Sequence, residues 1–170
     1  MKTLIATLSI ICCFSFSYAQ ESDKDGILGD FDGNGTKEYA FVKVNDCSDE
    51  CDGKCETTIY FSDKNIKPFS ISPANSGALY NLKDLNGDGK DEIGFYPGWC
   101  TSCWHPFYAY TLSKAGWKPL VEPISTHCSQ WEEDKFPIKK DTKKKGYVII
   151  TSSQWLDDDI KIISKSVQLK

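Results

Sequence analysis

Oxygen-bearing side chains fall at positions one, three, five and nine of the stretch Asp84-Leu85-Asn86-Gly87-Asp88-Gly89-Lys90-Asp91-Glu92, with glycine at position six. That alternation turns carboxylate and amide oxygens into one small concavity, and Gly89 supplies the positive φ that a tight ligand loop needs. Hard cations with many oxygen ligands ask for this chemistry, and calcium tolerates its irregular geometry best. The pattern recurs in Asp30-Phe31-Asp32-Gly33-Asn34-Gly35-Thr36-Lys37-Glu38. A single copy also describes a polar surface turn; two copies in one short chain point to metal. The expected side-chain ligands are Asp30, Asp32, Asn34 and Glu38 in one loop and Asp84, Asn86, Asp88 and Glu92 in the other. Two calcium ions are expected.

The residues after each loop say what positions it. In an EF-hand, position twelve is a bidentate Glu and a helix follows. Here position twelve is Phe41 or Phe95, and the loops run into Glu38–Val44 and Glu92–Tyr96, rich in aromatic and β-branched residues. Such stretches read as strands, so each loop joins two strands and its last acid opens the second. Strands are expected at Ala78–Leu82, Phe107–Leu112 and Trp117–Val121 around the later loop, and at Thr57–Phe61 and Ile66–Ile71 after the earlier one. A third copy begins at Asp141, at nearly the same interval, and keeps position one and the glycine at six, Gly146. Lys143 and Lys145 occupy its ligand positions, so it reads as a repeat in which ammonium groups replace the cation. Strands follow it at Tyr147–Ile150, Ile160–Ile163 and Val167–Leu169. A fixed period built from strands marks a β-repeat architecture. The expectation is an all-β domain of three four-stranded antiparallel repeats, about 26–74, 75–124 and 135–170. The one candidate for a helical turn lies within Ser125–Asp134.

Residues 1–19 read as a signal peptide: Lys2, an apolar run from Leu4 to Phe16, and Ser17-Tyr18-Ala19 as a small-x-small cleavage site. Export to the periplasm or medium is expected, with residues 20–170 as one domain and no membrane span. Two of the eight Cys fall in that segment, leaving Cys47, Cys51, Cys55, Cys100, Cys103 and Cys128. An even count in an exported chain reads as disulfides, whose connectivity spacing does not fix. All 20 basic residues are Lys, and the formal net charge is −4. With no basic face and no Arg for bidentate contacts, nucleic acid is not an expected partner. The acid run Asp157-Asp158-Asp159 and the basic run Lys139, Lys140, Lys143, Lys144 and Lys145 read as solvated turns.

Trp99-Cys100-Thr101-Ser102-Cys103-Trp104-His105 admits sharper chemistry. Cys100 and Cys103 have dithiol spacing, but a redox dithiol normally has a helix N-terminus to lower its first thiol pKa. Cys100, Cys103, His105, His127 and Cys128 together offer zinc or copper ligands, which must be reduced to bind. Against both stands the simpler account, disulfide staples in connecting loops. Trp99, Trp104 and Phe107 make this an aromatic loop of the kind that contacts partners through rigid rings, unless they plug a gap between repeats. No motif places a nucleophile beside a base.

The stretch Asp84–Ile93, and likewise Asp30–Glu38, resembles the calcium loops of FG-GAP and VCBS-type repeats, the units of integrin-like β-propellers. The resemblance implies four-stranded blades with the loop between the first two strands, and backbone-carbonyl ligands at position seven from Thr36 and Lys90. Propellers close with four to eight blades, and this chain has room for three, so a small or incomplete propeller-like assembly is expected. The expected function is that of an exported calcium-binding, disulfide-stapled protein without catalytic activity that binds a protein or surface glycan. A specific form is an inhibitor or immunity factor against a secreted hydrolase. The alternative is an exported thiol-disulfide or metal-dependent enzyme acting through Cys100 and Cys103.

Overall fold

The computed structural model describes residues 26–45, 47, 54–98, 102–133 and 135–169. The expected signal segment, Cys51, Trp99 and Cys100 lie outside them. The described chain is all-β but for one short helix. Strands β1 (Ile27–Gly29), β2 (Glu38–Val44), β3 (Thr57–Phe61) and β4 (Phe69–Ile71) form the first antiparallel sheet in sequence order. The second sheet runs β5 (Gly77–Lys83), β6 (Glu92–Pro97), β7 (Trp104–Ser113), β8 (Gly116–Pro119). Strand β9 (Ile124–His127) also pairs with β7, and α1 (Cys128–Glu132) follows it. The third sheet is β10 (Ile138–Lys140), β11 (Tyr147–Leu156) and β12 (Asp159–Gln168).

The sheets therefore hold four, five and three strands rather than four each. The extra strand of the second sheet follows from the length of β7. Its far half, Tyr110–Ser113, is paired with β8, and Trp104–Phe107 would have an unpaired edge without β9. The third sheet is short of a strand because Ile160–Ile163 and Val167 belong to one continuous strand paired along all of β11. Ser164-Lys165-Ser166 between them has no glycine, proline or Asn/Asp to turn the chain. The hairpin does turn at Asp157-Asp158, both at positive φ, in the manner of a tight two-residue connection.

Side chains alternate across a strand, and the two faces of the second sheet carry different cores. Ile93 and Phe95 point toward the first sheet and pack with Phe31, Ala40, Ile59, Phe61 and Ile71. Trp117 stacks on Phe61 at 5.1 Å and lies 5.0 Å from Phe69. Leu82, Phe107, Ala109 and Ile124 form the other core with Ile138 and Val148 of the third sheet. Gly94 sits where this second core is tightest: a Cβ there would lie 2.5 Å from Phe107 Cζ and 3.0 Å from Leu82 Cδ2. The three sheets thus stack first on second and second on third, without closing into a ring. Each of the three related loops, Asp30–Lys37, Asp84–Asp91 and Asp141–Gly146, joins the first two strands of its sheet.

Candidate metal centre

In the first loop the acid at position one organises the backbone. Asp30 Oδ1 accepts the Gly33 N–H at 2.8 Å and Oδ2 accepts the Gly35 N–H at 2.9 Å. Gly35 lies at φ 87°, a conformation that a side chain resists. Asp32 Oδ1 accepts from Asn34 N at 3.0 Å, and Asn34 Oδ1 from Thr36 N at 2.7 Å. Asp32 and Asn34 thus each hold the amide two positions on, Asp30 those three and five positions on, and the loop wraps about its own carboxylates. Glu38 closes it from the first residue of β2. Its Oε2 accepts the Phe31 N–H at 3.0 Å, while Oε1 is buried and has no partner. Ligand oxygens of Asp30, Asp32 and Glu38 lie within 4.8 Å of one another. Burial, and then the charges of Asp32 and Asp30, push the Glu38 carboxyl above its ordinary pKa, against the hydrogen bond from Phe31. A divalent cation fits this donor set: it would give Oε1 the partner it lacks and offset three crowded acids.

The second loop repeats the frame with a different ending. Asp84 accepts from Gly87, Asp88 and Gly89, Asn86 Oδ1 from Asp88 N at 2.7 Å, and Asp88 Oδ1 from Lys90 N at 3.0 Å. Glu92 is fully buried, yet both its oxygens are engaged. Oε2 accepts from Leu85 N at 2.7 Å and Oε1 from Asn86 Nδ2 at 2.7 Å. Burial nevertheless pushes its carboxyl up to about 7, outweighing the hydrogen bonds from Leu85 and Thr111. The Lys90 ammonium lies 3.4 Å from Asp88 Oδ2 and donates to Leu112 O at 3.0 Å. This loop carries oxygens at the same positions, but Asp84, Asp88 and Glu92 are not brought within 4.8 Å of one another as Asp30, Asp32 and Glu38 are, and more of its negative charge is already met by protein donors.

The third loop keeps only the frame. Asp141 Oδ1 accepts from Lys143 N at 2.9 Å and Oδ2 from Ser166 Oγ at 2.6 Å. Those bonds hold its carboxyl below the ordinary value.

One residue that spacing passed over ties the first two loops together. Asp91 Oδ2 accepts from Asn81 Nδ2 at 2.7 Å and from Asp30 N at 3.3 Å, and the Asp91 N–H donates to Asp30 O at 2.8 Å. Asn81 also donates to Leu28 O at 2.8 Å. The available signal was the parity of Asp91: an acid at an even position of the loop points away from the concavity. Likewise Lys140 Nζ donates to Asp84 O at 2.8 Å, from the third sheet to the second loop.

The cysteines are stapled, as far as they are described. Cys47 bonds Cys55, and Cys103 bonds Cys128, as befits an oxidising compartment. With its sulfur bonded to Cys128, Cys103 is not half of a dithiol with Cys100. Nor are Cys103 and Cys128 thiolate ligands for zinc or copper, although His127 lies beside them. Phe107 is not a contact residue either: it is 0% exposed in the core between the second and third sheets, because its neighbour Gly94 leaves room for the ring. Trp104 is half-buried against His127, ring centres 5.0 Å apart, and borders a small cleft with His105, Pro106, Pro123 and Ser125. Among the described residues no helix is long and apolar enough to cross a membrane. The chain matches no protein-family model, no curated protein and no solved structure.

Proposed function

We propose that this chain is an exported calcium-binding protein that acts by binding a partner rather than by catalysis, a β-repeat stack of the FG-GAP/VCBS kind. The observation that carries it is the unpartnered, buried Glu38 Oε1 beside Asp30 and Asp32. A protein rarely leaves a buried carboxylate oxygen without a donor or an ion. The first loop takes calcium more tightly than the second, whose Glu92 and Asp88 already have protein donors. Thr36 and Lys90 supply carbonyl ligands at position seven. The disulfides and the cations hold the connecting loops rigid, so less entropy is lost when a protein or surface glycan docks on them. Trp104, pinned beside Cys103–Cys128, belongs to that contact surface, with Trp99 of the same sequence stretch. An inhibitor or immunity factor against a secreted hydrolase is the specific form this takes.

Calorimetric titration of chelator-treated protein tests the metal. Calcium binds at roughly 10⁻⁴ to 10⁻³ M, as in extracellular modules. At about ten times Kd it adds about 1.4 kcal/mol per site by linkage, a rise in Tm of about 4 °C for a domain of this size. Glu38→Gln abolishes the tighter site. Absence of calcium heat in the wild type, or an unchanged tight site in the variant, overturns the proposal.

A further inference from the structure

The third loop keeps the frame of the other two and reverses its charge. Where the first loop sets Asp32 and Asn34 at positions three and five, the third has Lys143 and Lys145. Its one acid, Asp141, has both carboxylate oxygens engaged, by Lys143 N and Ser166 Oγ. The ammonium groups are not spent on that acid. Lys144 Nζ lies 3.6 Å over the Tyr147 ring. Among the described residues the ammonium groups of Lys139, Lys143 and Lys145 make no ion pair and no hydrogen bond.

A groove of about 510 Å³ opens beside this loop, with Lys143, Lys144 and Lys165 along it. Register fixes its floor. Lys139, Ile149 and Ser166 lie abreast on β10, β11 and β12, and side chains so paired share a face. Val148 and Ile150, on the opposite face, pack in the core with the second sheet, and Lys140 reaches Asp84 O from there. Ser164 continues the floor one pair further on, bonded to Thr151 Oγ1 at 2.8 Å. Farther along β11 the same face is closed, where Ser153 Oγ meets Gln130 of α1 and the His127 amide. The groove is therefore confined to the loop end of the sheet. The other acids of this sheet, Asp157, Asp158 and Asp159, lie at the hairpin tip, a full ten-residue strand away, or roughly 30 Å.

We propose that this groove binds an acidic polysaccharide. Its carboxylates meet the ammonium groups of Lys139 and Lys143, and its hydroxyls meet Thr142, Ser164 and Ser166, whose oxygens each keep acceptor capacity. Ile149 offers an apolar patch to the C–H face of a sugar ring. Three features select this class of polyanion. A groove on a sheet face has no unpaired backbone groups to which an acidic peptide could add as a strand. The ring at its border, Tyr147, is capped by Lys144, so a nucleic-acid base has no free aromatic face to stack on there. The chain has no Arg to fork a phosphate. The inference deepens the reading of the chain as a binding protein and rests on it, though not on its calcium.

Binding of the purified protein to a fluorescently labelled oligogalacturonate, read by anisotropy at low and high salt and in chelator and calcium, tests this. The expected result is binding that weakens as salt rises and is the same in chelator as in calcium. Lys139→Glu and Lys143→Glu each lower the affinity roughly tenfold, since each removes one attraction and adds one repulsion. Lys64→Glu, on the first sheet, leaves it unchanged. All three positions are exposed, and circular dichroism and Tm check that folding is kept. Absence of binding at low salt overturns the proposal. So does an equal loss in Lys64→Glu, the mark of attraction to charge at large. Equal or tighter binding of a glutamate oligomer, or of single-stranded DNA of the same charge, assigns the groove to that partner and overturns the polysaccharide. Binding only in calcium puts the sugar on the metal loops and overturns the groove. Absence of calcium heat with the sugar still bound in chelator overturns the metal reading alone and supports this one.

Discussion

Glu92 makes the apo protein less stable as the pH rises toward neutrality. Its side chain is 0% exposed and its carboxyl is pushed up to about 7, from an ordinary value of 4.5. Between those two pH values the native state holds a proton that the unfolded chain has released. Stability therefore falls as pH rises through the window. It is fully retained below 4.5, and the loss is complete above about 7. At about 1.4 kcal/mol per pKa unit, the full excursion is about 3 kcal/mol. Burial shifts Glu38 in the same direction and steepens the slope. Asp141 and Asp159 are held below 3.8, so their contributions have the opposite sign and are lost only at more acid pH. The assay is urea unfolding in chelator at several pH values between 4.5 and 7.5, in wild type and Glu92→Gln. With a slope of about 2–3 kcal/mol per molar urea, the wild-type midpoint drops by about 1 M from the acid to the neutral end. The variant keeps an oxygen for the Leu85 N–H and loses most of that drop. Calcium restores the neutral-pH midpoint of the wild type, since a cation favours the ionised carboxylates. If Glu92→Gln keeps the full slope, or if wild-type stability rises with pH across the window, burial of Glu92 is not what sets it.

Gly94→Ala places a methyl against Phe107 and Leu82 and is expected to cost about 1–3 kcal/mol by overpacking; a Tm within a degree of wild type contradicts the close approach. Alkylation of the unreduced protein followed by mass spectrometry is expected to leave Cys47, Cys55, Cys103 and Cys128 unlabelled, since all four are bridged. Cys103→Ser opens the Cys103–Cys128 loop and costs about 3 kcal/mol, read as a lower denaturant midpoint with the calcium titration unchanged.

The parts of the fold and site that were legible are those written in local spacing. Alternation of apolar residues marks Glu38–Val44 and Phe107–Leu112 as strands without reference to any partner. The offsets among Asp30, Asp32 and Glu38 are enough to say that their oxygens converge, because a loop with glycine at position six has few other ways to close. What escaped is what depends on a distant partner. Ile124–His127 becomes a strand only because β7 outruns β8. Phe107 looks like part of an exposed aromatic loop until Gly94 is set beneath it. Glu92 and Glu38 occupy the same position of the same motif. They differ because Asn86 and Thr111 furnish donors around one, while one oxygen of the other is left bare. Nothing in either nonapeptide encodes Thr111.

The clip from Asp91 to both backbone groups of Asp30, and the one from Lys140 to Asp84, make the stack behave as a row of units joined only to their neighbours. In such a row loss of structure starts at the ends and works inward. Amide protons of β6 and β7, covered on both faces, would then exchange last, after the first and third sheets had opened separately. Proteases cut whatever opens. For a row of three, every opening begins at a terminal sheet, and the middle sheet is the last to be cut.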